Sequence, residues 1–359
     1  MSGPLKPGEL IGDRYEIVRY VGEGGMQFVY QAKDRLTGRH VALKTPKNRS
    51  ATKRFRRSAV VAAKVNHPNV AKTLDYLKVG AERYLVEEYI EGSDLKAALL
   101  EETAYLDPYL AAKVLHHLAK GVAAAHHAGV VHRDLKPTNI MVIGGYSLNE
   151  LKVTDFGIAK MADEELREAV EGGDASMSAS QTAVGALPYM APEAIDEPNT
   201  VGPPADIWSI GAMMYHLLCG QYPFGQGLRA VPKIMAAELP EPPEFLAANP
   251  QFAPLAKEVL EIAYSCLRRD PSERPTADQL VERCSTLCYT SSPRQHGVVT
   301  DFRHGAWGFI RTTDASVFFH RESVYGPIPK VGDPVLFASY HGGGADRALP
   351  VVKLIGPSS

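Results

Sequence analysis

The chain has 359 residues, enough for two or three domains with a sizeable core, and a composition typical of a globular protein. A formal net charge of −2 supplies no global pull toward nucleic acid or membrane. The four cysteines, Cys219, Cys266, Cys284 and Cys288, are too scattered for a disulfide framework. Cys284 and Cys288 would share a helix face, but no second ligand pair accompanies them as a zinc site requires. No apolar run approaches the roughly 18–20 residues of a membrane span, and the first ten residues lack an apolar signal core. The expectation is a cytoplasmic protein without membrane contact.

Residues 11–46 alternate polar and apolar around glycine turns (Tyr15–Val18, Phe28–Tyr30, His40–Lys44), the pattern of an antiparallel meander. From Thr52 to Asn66 the spacing turns helical and is stopped by His67-Pro68-Asn69. Strands follow over Val70–Leu77 and Tyr84–Tyr89. After Gly92 the character changes, with helices expected over Leu95–Leu100, Pro108–Ala128, Asp206–Cys219, Leu255–Cys266 and Ala277–Leu287. A polar Ser-Ser-Pro linker occupies 289–294. Beyond it the chain is strand-rich again (Val298-Val299, Trp307–Arg311, Val317–His320, Pro334–Ser339, Val351–Leu354), as expected of a separate all-β domain over 295–356.

The chemistry concentrates in His132-Arg133-Asp134-Leu135-Lys136-Pro137-Thr138-Asn139. Asp134 brings a carboxylate able to take or orient the proton of an attacking hydroxyl. Lys136 brings an ammonium able to neutralise a moving phosphoryl group, and Asn139 an amide oxygen able to hold Mg²⁺. Upstream, Gly22-Glu23-Gly24-Gly25 forms a turn whose small residues let backbone N–H groups approach phosphates, just before Ala42-Leu43-Lys44. Downstream, Asp155-Phe156-Gly157 follows a strand over Leu151–Val153 and offers the hard oxygen donors that Mg²⁺ prefers.

In this order, from about residue 10 to 288, the motifs resemble those of eukaryotic-like, bacterial-type Ser/Thr protein kinases. The resemblance implies an α+β, bilobal kinase fold, with an N-lobe over 10–90, a C-lobe over 91–288 and the hinge near Glu88–Gly92. It implies ATP and Mg²⁺ as cofactors and protein hydroxyls as acceptors, with Lys136 favouring Ser/Thr. Catalytic roles fall on Asp134, Lys136 and Lys44. ATP binding falls on Gly22, Gly24, Gly25, Val29, Ala42, Lys44, Glu88, Asn139 and Asp155, of which Asn139 and Asp155 are the metal ligands. Glu193 in Ala191-Pro192-Glu193 is expected to pair with Arg274, and the segment from Asp206 to Gly211 to anchor the catalytic loop.

Three departures stand out. Family kinases pair the strand lysine with a glutamate on the next helix, and alignment of Arg54-Phe55-Arg56-Arg57-Ser58 puts Ser58 there. Glu87, just before the hinge, would instead point into the back of the ATP pocket. A buried carboxylate needs a cationic partner, so Glu87 is expected to pair with Lys44; a phosphorylated Ser58 is the competing source of charge. Gln27 takes the place of the third glycine of the glycine-rich loop. Ala186 replaces a threonine whose hydroxyl bridges the catalytic aspartate and lysine, a loss expected to slow the reaction about tenfold.

Regulation is expected in the segment carrying Ser176, Ser178, Ser180 and Thr182. Thr182 and Ser180 are the candidate phosphosites and Arg133 the receptor for the phosphate. A dimer would serve trans-autophosphorylation.

Residues 295–356 resemble a cold-shock domain, a small OB-type barrel, through Ala306–Ile310 and Val317–His320. Alternation places Trp307 and Phe309 on one face, and Phe318 and His320 on one face of the next strand. If those faces coincide, bases of single-stranded RNA or DNA would stack there for about 1–3 kcal/mol each, with Arg303, Arg311 and Arg321 meeting phosphates. Asp301, Asp314 and Glu322 dilute the charge. For the barrel, the competing reading is a degenerate domain that docks on the kinase or binds peptide. The leading reading of the whole is a Ser/Thr kinase with a nucleic-acid-binding or regulatory barrel. The alternative is a pseudokinase, an ATP-binding scaffold acting through the barrel.

Overall fold

The computed structural model describes residues 5–23, 27–47, 55, 59–156, 185–197, 200–289 and 292–355. The N-lobe is a six-stranded antiparallel sheet of β1 (Leu10–Ile11), β2 (Tyr15–Glu23), β3 (Gln27–Asp34), β4 (His40–Pro46), β5 (Thr73–Val79) and β6 (Glu82–Glu88), in the order β1-β2-β3-β4-β6-β5. Alternation divides its faces. Tyr15, Ile17, Tyr30, Ala32, Val41, Leu43, Tyr84 and Val86 fill a core on one side. Val29, Ala42, Lys44 and Glu87 line the cleft on the other. Of the helix expected over 52–66, residues 59–62 are helical, and Phe55 and Ala59 pack on Leu85. Ser58 lies outside the described residues. The expected strand at Val70 starts at Thr73 instead, because Val70 is taken by a bridge to Val153.

The C-lobe follows through β7 (Ser93–Asp94), α1 (Leu95–Leu99), α2 (Pro108–His127), β8 (Ile140–Ile143), β9 (Glu150–Val153), α3 (Pro192–Asp196), α4 (Pro203–Cys219), α5 (Val231–Ala236), α6 (Phe245–Ala248), α7 (Ala253–Cys266) and α8 (Ala277–Ser285). β7, β8 and β9 form a small antiparallel sheet under the hinge. α2 starts at a Pro in its first turn, with the Asp107 side chain accepting from the N–H groups of Tyr109 and Leu110. α4 is apolar nearly all round and is buried at almost every position. Cys219, Cys266 and Cys284 are buried free thiols, and no metal cluster occurs among the described residues.

The last region is a barrel of β10 (Arg294–Arg303), β11 (Trp307–Arg311), β12 (Ser316–His320), β13 (Val324–Tyr325), β14 (Pro334–Tyr340) and β15 (Arg347–Lys353). Five of its strands close in the order β12-β11-β10-β14-β15 through a parallel contact between β12 and β15, a topology compatible with an OB-like fold. The expected strand at Val298-Val299 is ten residues long and carries a bulge between Val299 and Asp301. Inward residues Val299, Ile310, Val317, Phe319, Val335, Phe337 and Val351 make its core.

The barrel packs on the C-lobe. On β14 and β15 the residues between the core positions, Leu336 and Val352, point outward and join the C-lobe core together with Tyr325 and Leu354. Tyr325 enters an aromatic box with Tyr105, Phe245 and Phe252 at centroid distances of 5.7, 5.9 and 5.3 Å. Gly326 has φ +85°, and a Cβ there would collide with the Tyr105 hydroxyl. The expected linker is anchored at both ends. Tyr289 shares a 2.7 Å hydrogen bond with His116, and Arg294 places Nη2 2.9 Å from both oxygens of Asp107.

Candidate active site

The catalytic loop hangs from α4. Asp206, buried in that helix, accepts the backbone N–H of His132 at 2.8 Å and of Arg133 at 2.7 Å. The loop needs that anchor because Arg133 sits at φ +69°, a left-handed conformation costly for a side-chain residue. His132 is fully buried, with Nε2 2.8 Å from the Thr154 carbonyl and its ring against Phe156, which ties the loop to the strand before Asp155. Arg274 makes a two-pronged pair with Glu193 at 2.6 and 2.9 Å, as expected.

On this platform Asp134 faces the cleft. Lys136 Nζ lies 3.1 Å from Asp134 Oδ1 and 2.9 Å from Oδ2, so the two pair directly without the hydroxyl that Ala186 lacks. Asn139 Nδ2 donates to the Asp134 carbonyl at 2.8 Å and to Oδ2 at 3.0 Å. Its nitrogen is thereby committed, and the amide oxygen remains for a cation.

Across the cleft, Lys44 Nζ lies 2.6 Å from Glu87 Oε2 and 2.8 Å from Asp155 Oδ1. Gln27 donates from Nε2 to the same Asp155 oxygen at 2.7 Å. Burial pushes the Lys44 ammonium down, but Asp155 and Glu87 outweigh it and hold the group above its ordinary value. Burial pushes the Asp155 carboxyl up, yet Lys44 and Gln27 keep it below the usual range, while burial wins at Glu87 and raises it.

These groups line one cavity of about 830 Å³, large enough for a nucleotide. Gly22, Gln27, Val29, Ala42, Lys44, Asp134, Lys136, Asn139 and Asp155 all contribute to its lining. Gly24, Gly25, Gly157, Ser176, Ser178, Ser180 and Thr182 lie outside the described residues. Arg133, expected to receive a phosphate, donates from Nη2 to the Val201 carbonyl at 2.9 Å. Glu88, expected to bind ATP, is not among the residues lining the cavity. Its side chain leaves the cavity, pairing with Lys152 at 2.9 Å and accepting the Lys72 N–H at 2.7 Å. Tyr89 and Ile90 line the wall there. Adjacent strand residues point to opposite faces, and Glu87 points in. Val21, Ala71 and Met141 also line the cavity and escaped the sequence reading, having no chemistry beyond apolar bulk.

The residues fit a magnesium ion. Two carboxylates share the single ammonium of Lys44, leaving the cluster short of positive charge, and the donors are hard oxygens. The Oε1 atom of Gln27 is buried without a hydrogen-bond partner beside Asp155.

On the barrel, Trp307 pairs in register with His320, and Phe309 with Phe318, so the two expected faces coincide. The three aromatic rings contact one another at 5.9–6.2 Å and are half-exposed, while His320 is exposed. Arg303 lies 5.0 Å over the Trp307 ring and bonds Asp301. Arg347, which the sequence reading missed, stands beside Phe318 across the closure of the barrel.

Comparison with known proteins bears on this arrangement. The protein kinase domain family matches residues 15–284. A probable serine/threonine-protein kinase of Clostridium perfringens is 32% identical over 282 residues, covering 76% of this chain and 38% of that protein. Another, of Bifidobacterium longum, is 34% identical over 227 residues, 61% of this chain and 28% of the relative. Serine/threonine-protein kinase PknA of Mycobacterium tuberculosis is 32% identical over 278 residues, 74% and 59% of the two chains. In each case the match spans less than two thirds of the relative's own length. No described helix is long and apolar enough to cross a membrane. A two-lobed fold, an anchored catalytic loop and a family match over most of the chain place this protein in the protein kinase domain family.

Proposed function

We propose that the protein transfers the γ-phosphoryl group of ATP to serine or threonine hydroxyls of other proteins. The observation that carries this reading is the facing of Asp134, Lys136 and Asn139 against Lys44 and Asp155 across one nucleotide-sized cavity. Asp134 orients the acceptor hydroxyl and takes its proton as the new O–P bond forms and the bond from the γ-phosphorus to the β–γ bridging oxygen breaks, releasing ADP. Lys136 lies against Asp134 and balances charge on the moving phosphoryl group. Lys44 holds the α- and β-phosphates, and Val29 and Ala42 bracket the adenine. Asp155 and the amide oxygen of Asn139 would hold Mg²⁺, which would supply charge neutralisation for the phosphates. The intact set favours turnover over a pseudokinase.

The test is phosphate transfer from labelled ATP to a generic basic protein, followed by phosphoamino-acid analysis. Wild type should label serine and threonine, and Asp134→Asn and Lys44→Ala should not. Equal labelling by Asp134→Asn would remove the assignment.

For the barrel, the aromatic face of Trp307, Phe309, Phe318 and His320 supports binding of single-stranded nucleic acid, with Arg303, Arg311 and Arg321 available to phosphates. Titration of an oligonucleotide against Trp307 fluorescence at rising salt should show salt-sensitive binding that Phe318→Ala weakens about tenfold or more. Unchanged affinity in Phe318→Ala would rule out stacking.

A further inference from the structure

Glu87 and Lys44 are partners within one sheet. β4 and β6 run antiparallel, with Ala42 opposite Glu87 and Lys44 opposite Leu85. Residues two apart on a strand share a face, so Ala42, Lys44 and Glu87 all face the cleft. Glu87 and Lys44 are then diagonal neighbours, a separation that long side chains span, and Ala42 is too small to intervene. The side chains meet at 2.6 Å with only 7% and 5% of their surface exposed. At that burial the Glu87 carboxylate alone would be strongly disfavoured, and the Lys44 ammonium is the cation it meets.

We propose that Glu87 is the positioning residue that holds Lys44 for phosphoryl transfer. This rests on the reading of Lys44 and Asp134 given above. In the family the corresponding carboxylate belongs to a helix, so the pair depends on where that helix sits against the sheet. Here both partners belong to hydrogen-bonded neighbouring strands, and strand register alone sets their separation. The other described ion-pair partner of Lys44, Asp155, comes from the C-lobe. Lys44 is thus held by the sheet on one side and by the metal-binding aspartate on the other. The same carboxylate closes the back of the cavity with a charged wall where an apolar residue would leave a greasy one.

The test compares wild type, the isosteric Glu87→Gln, Glu87→Met, Lys44→Ala and Asp134→Asn. Steady-state transfer is measured in each, and affinity for adenosine, which has no phosphates, is measured by calorimetry. Loss of a charge-assisted hold on Lys44 should lower kcat about tenfold in Glu87→Gln and up to a hundredfold in Glu87→Met. Adenosine affinity should stay within about threefold of wild type in Glu87→Gln, because the base contacts Val29 and Ala42 rather than Lys44. A wall role without positioning would lower adenosine affinity in step with kcat, and that result would overturn the proposal. So would wild-type kcat in both Glu87 variants beside inactive Lys44→Ala and Asp134→Asn. Activity in those two controls would instead sink the catalytic reading on which the proposal stands.

Discussion

Replacing Arg294 with methionine should uncouple the barrel from the kinase lobe. Arg294 and Asp107 have side-chain exposures of 3% and 1%, and their contact is at 2.9 Å. Removing one partner of such a buried pair typically costs about 3–5 kcal/mol, because the other charge is stranded. Asp107 would keep the N–H groups of Tyr109 and Leu110 and the favourable helix N-terminus, which puts the cost near the lower end, about 3 kcal/mol. For a chain of 359 residues that corresponds to a melting temperature lower by roughly 4 °C. Scanning calorimetry would measure it, with Asp107→Asn/Arg294→Met as the double variant. The double variant should recover part of the loss, since it leaves no stranded charge and an asparagine still caps the helix. A drop below about 1 °C in Arg294→Met, or strict additivity in the double variant, would refute the buried-pair argument.

Other outcomes follow from the same structure. Arg274→Lys should destabilise the C-lobe by about 1–3 kcal/mol in urea unfolding, because an ammonium cannot reproduce the two-pronged bond to Glu193 or the stacking over Trp208. Burial, assisted by nearby lysines, pushes the imidazoles of His117 and His216 down to about 4. The unfolded chain, with histidines near 6.5, therefore takes up protons that the folded one refuses, so stability should fall as pH drops from about 6.5 to 4. His117→Gln should flatten that fall, read as urea midpoint against pH. Gln27→Gly removes the hydrogen bond from the lid strand to Asp155, and hydrogen exchange in β2 and β3 should quicken several-fold without nucleotide.

Much of the site was legible because its chemistry is local. Asp134, Lys136 and Asn139 lie within six residues, and a short loop brings them together whatever surrounds it. The pairing of Lys44 with Glu87 was legible for a different reason. A carboxylate in a strand facing the pocket has to find a cation, and alternation limits which one it can reach. The same alternation, applied one residue further, turns the Glu88 side chain toward Lys152. Ser58, Thr182 and Ser180 lie outside the described residues, so their roles stay as the sequence proposes them.

What the sequence alone determined was the kind of chemistry and the two classes of fold, since motif order and hydrophobic period are properties of short stretches. Only the tertiary structure shows which residues pack the barrel on the kinase lobe. Tyr105 and Tyr325 are 220 positions apart, and Asp107 and Arg294 are separated by 187. Read locally, the first pair are ordinary apolar residues, Asp107 is a helix cap and Arg294 is a polar linker residue. Their meeting is a consequence of packing, in which the outward side chains of β14 and β15 had to bury themselves and the C-lobe offered the surface.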